Sequence, residues 1–311
     1  MASLQFDVLG LGNAIVDVIS STDDAFLGRE GLSKGGMALV DEARATKLYE
    51  SMGPGKVTSG GSAANTIAGL ASFGAKCAFI GKVKADEAGR AFSHDIRAMG
   101  VHFSTEAANS GPSTARCLVL VTPDGERTMN TYLGACQNLT TSDVDKAVVE
   151  ASKITYLEGY LWDPPEAKKA FRKASDIAHR AGRKVAITLS DSFCVDRYRD
   201  EFRDLIRTRA VDIVFANEHE LKSLYTTSDF DSAVAALRAE GPLAVITRSA
   251  AGSLVIDGDT LVTEPAQPID RLVDTTGAGD LFAVIEIVLP KEPDPELEEL
   301  MQRWRAKTRV N

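Results

Sequence analysis

The stretch Val273-Asp274-Thr275-Thr276-Gly277-Ala278-Gly279-Asp280-Leu281-Phe282 is a glycine turn opening an apolar segment, with an acid where turn becomes helix. Two glycines let the backbone bend so that successive N–H groups point into one cavity, and a helix start adds partial positive charge there. Gly277, Ala278 and Gly279 therefore form a candidate anion hole. Asp280 stands at its edge, where a carboxylate can orient and deprotonate an attacking hydroxyl while the N–H groups steady the charge on a transferring phosphoryl. The plainer reading is a strand-to-helix turn with an acid placed for the helix dipole, and the rest of the chain has to decide between the two.

Upstream, short β-rich runs alternate with helical stretches. Strands are expected at 6–12, 77–83, 154–160, 185–190, 212–216 and 243–248, and helical periodicity covers 86–99, 164–181, 197–207, 218–225 and 231–240. This rhythm predicts an α/β fold with a doubly wound, mainly parallel sheet and ligands at the C-terminal ends of its strands. Two stretches break it. Residues 13–39 and 114–133 read as antiparallel strands, the second folded about Pro123-Asp124-Gly125. They leave the main sheet and are expected to pair as a small β lid over the cleft. The whole of 1–311 is read as one domain with that lid inserted.

Composition narrows the function classes. With 35 Lys and Arg against 44 Asp and Glu, the net charge of −9 disfavours nucleic acid or an anionic membrane as partner. Cys77, Cys117, Cys136 and Cys194 are far apart without a CxxC pair, which suits reduced core thiols of a cytoplasmic protein, and four scattered His make zinc a poor expectation. No basic residue precedes Arg29, so residues 1–20 lack the charged start of a signal peptide, and no apolar run approaches the ~20 residues of a membrane span.

Further motifs sit on the elements. Gly10-Leu11-Gly12-Asn13-Ala14-Ile15 half matches a dinucleotide fingerprint but lacks the third glycine and continues with strand-like alternation, so a nicotinamide site is disfavoured. In Ser59-Gly60-Gly61-Ser62-Ala63-Ala64-Asn65-Thr66, Gly60 and Gly61 allow a ligand close to the backbone, and Asn65 offers a donor and an acceptor to a vicinal diol. The same segment also suits a small-residue helix packed on the sheet. Arg127 follows the lid turn, either as a solvated turn residue or as a lid cation reaching phosphate oxygens on closure.

Taken together, Asp274 to Phe282, Gly10 to Asp17 and Ser59 to Thr66 resemble the PfkB/ribokinase family of carbohydrate and nucleoside kinases, in particular its bacterial adenosine-kinase-like members. Thr131-Tyr132-Leu133-Gly134 and Tyr156-Leu157-Glu158-Gly159-Tyr160 extend the likeness, which covers about 6–283. The resemblance implies a ribokinase-like fold and ATP-dependent phosphorylation of a hydroxymethyl group, foremost the 5′-hydroxyl of adenosine. It implies Asp280 as base, and Asn13, Asp17, Gly60, Gly61 and Asn65 around the sugar. Asn217-Glu218-His219-Glu220 is similar to the family's N-x-x-E motif, with Asn217 facing phosphates and Glu220 holding the Mg²⁺ shell through water, since Mg²⁺ dehydrates reluctantly. Thr247, Ser249 and Gly252 resemble the nucleotide loop, Ser249 standing where the family has glycine, and Thr276 and Arg127 complete the ATP side. A monovalent cation such as K⁺ beside the anion hole is a family option, as is a monomer or a homodimer.

After Ala283 the likeness ends. Val284 to Leu289, the Pro290-Lys291-Glu292-Pro293-Asp294-Pro295 linker and a charged amphipathic segment at 296–307 replace the small-residue helices that wall the adenine pocket in the family. The tail 284–311 is therefore expected to enclose ATP less well. Two alternatives stand beside adenosine phosphorylation: a kinase for another ribose- or ketose-type sugar, and a catalytically weak binding protein that keeps the sugar site without the adenine wall.

Overall fold

The computed structural model describes residues 3–266 and 279–283. Its strands are β1 (Phe6–Leu11), β2 (Ile15–Ser21), β3 (Met37–Leu39), β4 (Lys56–Gly60), β5 (Cys77–Ile80), β6 (His102–Phe103), β7 (Ala115–Val121), β8 (Arg127–Tyr132), β9 (Ser152–Glu158), β10 (Lys184–Thr188), β11 (Ile213–Asn217), β12 (Leu243–Thr247), β13 (Ser253–Asp257) and β14 (Thr260–Glu264). The helices are α1 (Asp24–Glu30), α2 (Glu42–Ser51), α3 (Ser62–Ser72), α4 (Glu87–Ala98), α5 (Lys146–Glu150), α6 (Pro165–Arg180), α7 (Ser192–Arg207), α8 (Glu218–Leu224) and α9 (Phe230–Glu240). Residues 279–283 are helical. The expected roles of Thr276, Gly277, Ala278 and the tail 284–311 lie outside the described residues.

Nine strands form the main sheet in the order β14-β13-β12-β11-β10-β9-β1-β5-β6, parallel throughout except where β13 and β14 fold back as an antiparallel edge. Period-two alternation divides its side chains between two cores. Leu9, Leu157, Ile187, Val214 and Ile246 face Trp162, Phe171, Phe202 and Leu205 on one side, while Val8, Tyr156, Ala186, Phe215 and Val245 face Ile67, Phe92 and Ile96 on the other. Burial on both faces explains why these strands read as continuous apolar runs.

The second sheet has the order β3-β8-β7-β2-β4. It differs from the antiparallel expectation for 13–39 and 114–133. β7 and β8 pair antiparallel about the predicted turn, but β2 runs parallel to β7 and β3 parallel to β8, because the chain reaches each partner by a long excursion rather than a hairpin. The segment 13–39 also contains α1, and β4, which lies outside both expected stretches, closes the sheet against β2. Val18, Leu118 and Leu120 pack on Leu27 and Leu48 of α1 and α2, whereas Ile15, Cys117 and Val119 form the opposite face with Met129 and Leu133 beside them.

Candidate functional site

The chain lays down β1, makes its excursion through the second sheet to β5 on one side of β1, and later returns as β9 on the other. That reversal of strand order opens a crevice at the C-terminal ends of β1 and β9, the place where open α/β sheets bind ligands. A cavity of about 720 Å³ lies there, lined from both sheets. Of the residues expected to act, Asn13, Asp17, Gly61, Asn65, Arg127, Asn217, Glu220, Thr247, Gly279 and Asp280 line it. Gly60 lies behind Asp17, where a Cβ would collide with the Asp17 carboxyl group, and a Cβ at Gly61, whose φ is +101°, would strike the Asn13 carbonyl oxygen. The two glycines thus serve close packing of the neighbouring polar residues. Ser249 and Gly252 sit in the turn after β12, outside the cavity lining.

Asp280 is tethered to α3. Ser62 Oγ donates to its Oδ1 at 2.6 Å, Asn65 Nδ2 to its Oδ2 at 3.3 Å, and Thr66 Oγ1 to its main-chain oxygen at 3.2 Å. Burial raises the Asp280 carboxyl above its ordinary range, and the Ser62 and Asn65 donors partly offset that. Asp17, on β2, is also raised, to about 6, by burial, with Arg127 opposing the shift and Asp280 adding to it. Arg127 opens β8 and so brings a guanidinium to the carboxylate end of the cavity.

On the other side, Asn217 and Glu220 close the start of α8 as a capping box. Asn217 Oδ1 accepts from Glu220 N at 2.8 Å, while Asn217 N and Nδ2 donate to Glu220 Oε2 and Oε1 at 2.9 and 2.5 Å. Glu220 is 4% exposed, and burial raises it to about 7, with the Asp191 charge adding to the effect. Among the described residues no group of three or more His, Cys, Asp or Glu is gathered for a metal. With the Glu220 oxygens engaged by Asn217, this donor set suits a hydrated Mg²⁺ held through water and not one stripped of its shell.

Three contributors escaped assignment from the sequence. Ser62 and Thr66 lie inside the quoted Ser59 to Thr66 motif, and hydroxyls in the first two turns of an Ala/Gly-rich helix are the signal that could have found them. Glu158, at the end of β9, is 1% exposed and accepts from Asn13 N at 3.2 Å, Asn13 Nδ2 at 2.7 Å and Ala63 N at 2.9 Å. An acid ending an otherwise apolar strand is the signal that could have found it.

Ser249 adopts φ +49°, the left-handed region that favours glycine. We expect Ser249→Gly to stabilise the protein by about 0.5–1 kcal/mol in chemical unfolding, relief of the backbone outweighing the extra freedom of the unfolded chain. Equal or lower stability would show that the turn is unstrained.

A doubly wound sheet, a β cover and a carboxylate tethered in the cleft between them are the frame of a phosphotransferase acting on an alcohol. The chain belongs to the pfkB family of carbohydrate kinases, whose profile matches residues 45–284. It is 54% identical to an adenosine kinase from Sinorhizobium meliloti of known crystal structure, with a TM-score of 0.85 over 91% of this chain and 86% of that one. A probable sugar kinase from Rhizobium etli is 52% identical, with a TM-score of 0.86 over 92% and 86%. Adenosine kinase of Saccharomyces cerevisiae is 27% identical over 95% of this chain and 92% of its own length. The fold is ribokinase-like, and the protein is an ATP-using kinase. Among the described residues no helix is long and apolar enough to cross a membrane.

Proposed function

We propose that the protein transfers the γ-phosphoryl of ATP to the 5′-hydroxyl of adenosine. The observation that carries this reading is the two-sided character of the cavity. Asp17, Asn65 and Asp280 form a polar end fit for a ribose, and Ile15, Cys117, Val119 and Met129 of the second sheet, with Leu133 just after it, form an apolar wall fit for a purine. A free hexose or pentose would leave that wall without a partner.

In this reading Asp280 takes the hydroxyl proton, and Ser62 and Asn65 hold its carboxylate in line. Asp17 and Asn65 accept and donate to the ribose hydroxyls, and Asn13, Gly60 and Gly61 shape the backbone against the sugar. Gly277, Ala278 and Gly279 steady the transferring phosphoryl. Asn217, Thr247, Ser249, Gly252, Thr276 and Arg127 serve the nucleotide. Glu220 orients the water shell of Mg²⁺, which supplies charge neutralisation on the phosphates when bound. K⁺ beside the anion hole, a cytoplasmic location suited to the four buried cysteine thiols, and a monomer or homodimer belong to the same reading.

The likeness to a probable sugar kinase favours one alternative, a ribose or ketose acceptor. Thermal unfolding with adenosine, ribose, fructose and ATP separately, followed by turnover assays with ATP and each acceptor, distinguishes them, because a ligand of the native state raises its apparent stability. Adenosine is expected to give the largest stabilisation and AMP as product. Preferential phosphorylation of ribose or fructose would overturn the assignment.

A further inference from the structure

Glu158 belongs to no element that carries an assigned role, yet it joins two that do. Its Oε2 accepts from Asn13 N and Ala63 N, and its Oε1 from Asn13 Nδ2. The neighbourhood is built around it: a Cβ at Gly12 would collide with its carboxyl group and with Ala63. The N-cap of α3 is Gly61, which offers no side-chain acceptor, so Glu158 receives the Ala63 N–H of the first turn from another strand. That first turn carries Ser62, and Asn65 follows it, the two donors on the Asp280 carboxylate.

An ionised carboxylate accepts hydrogen bonds and donates none. Asn13 can therefore face it only through Nδ2, and its Oδ1 must turn the other way. We propose that Glu158 is a positioning residue that fixes the polarity of Asn13, presenting the Asn13 carbonyl oxygen as an acceptor to a substrate hydroxyl while it ties the start of α3 to the same point. The inference rests on the reading of this cavity as the substrate site. Its consequence is that the site recognises an O–H donor at Asn13 only while Glu158 is a carboxylate.

The surroundings make that state titratable. Burial pushes the Glu158 carboxyl up to about 7 against its three N–H donors, and the Asp280 charge adds to the rise. The other ionisable groups that face it are the Cys136 thiol and the Tyr156 and Tyr160 phenols, all held neutral by burial, and no cation balances it among these neighbours. Protonation converts one oxygen into a donor set against N–H groups, and Asn13 is then free to turn its amide over. Substrate affinity should fall as pH drops through about 7.

Glu158→Gln keeps the shape and makes the donor permanent. We expect KM for the accepted nucleoside to rise at least ~10-fold with kcat within about threefold, and the acid limb of kcat/KM assigned to Glu158 to vanish. A purely structural role would instead lower the melting temperature and leave KM of the folded enzyme unchanged, which would overturn the proposal. A second readout is independent of turnover. The Asn13 side-chain amide signal in NMR, assigned by its loss in Asn13→Ala, should shift across neutral pH in the wild type and stay fixed in Glu158→Gln. A wild-type signal that does not respond to pH would also overturn it. Should the wild type phosphorylate none of the acceptors, the proposed function falls while the NMR titration still decides the role of Glu158.

Discussion

Asp280→Asn should lower turnover by roughly 10²–10⁴ while leaving adenosine binding, measured by titration calorimetry, close to that of the wild type. The amide retains the shape of the carboxylate and the chance to accept from Ser62 Oγ, so the tether to α3 survives. What is lost is the basic oxygen that receives the hydroxyl proton. The pH profile adds a second check. Burial raises the Asp280 carboxyl, so the wild-type rate should fall as acid protonates it at a pH above the ordinary carboxylate range. Near-normal turnover in Asp280→Asn would remove this residue from the role of base.

The second large effect concerns recognition. Asp17→Ala should weaken adenosine binding by ~2–4 kcal/mol, the cost of leaving hydroxyl donors without a charged acceptor in a closed cleft. Gly60 leaves room for this carboxylate, and Arg127 is the cation that eases its charge. The same burial gives an opposite effect on the unliganded protein. The folded-state value of about 6 lies above the ordinary 3.8, so ionising Asp17 costs stability as pH rises through that interval, and above it the cost is fully present. At neutral pH Asp17→Ala should therefore bind less well yet unfold no more easily in the absence of ligand. Equal adenosine affinity in wild type and variant would place the sugar contacts elsewhere.

Six strands of the main sheet, β1, β5 and β9 to β12, were legible because they are buried on both faces and announce themselves as apolar runs between amphipathic helices. The edge strands β6, β13 and β14 were missed, β14 being exposed along its length. Cys77–Ile80 and Leu243–Thr247 fall within one to three residues of their expected ends. The second sheet was only half legible. A turn such as Pro123-Asp124-Gly125 marks a hairpin locally, but nothing local tells Ile15–Ser21 to run parallel to Ala115–Val121 across nearly a hundred residues. Lys56–Gly60 was missed because a strand with Val57 exposed and its last residue a glycine packed close on Asp17 has neither alternation nor bulk. In the site, glycines, Asp280 and Asn65 carried recognisable patterns. Glu158 did not, because its importance lies in which N–H groups meet it, and those come from chain positions 145 and 95 residues away.

The tether between α3 and Asp280 closes across 214 to 218 positions of the chain. Contacts of such separation must wait for long stretches of chain to be ordered, and they slow folding accordingly. During synthesis the hydroxyls and amide of α3 exist well before their carboxylate partner emerges from the ribosome. Until then the cleft has its floor and cover, and Ser62 and Asn65 stand without the carboxylate that they meet in the folded protein. Any nascent or truncated chain that stops before Asp280 would therefore carry the donors of α3 and the cleft around them without the carboxylate that joins them.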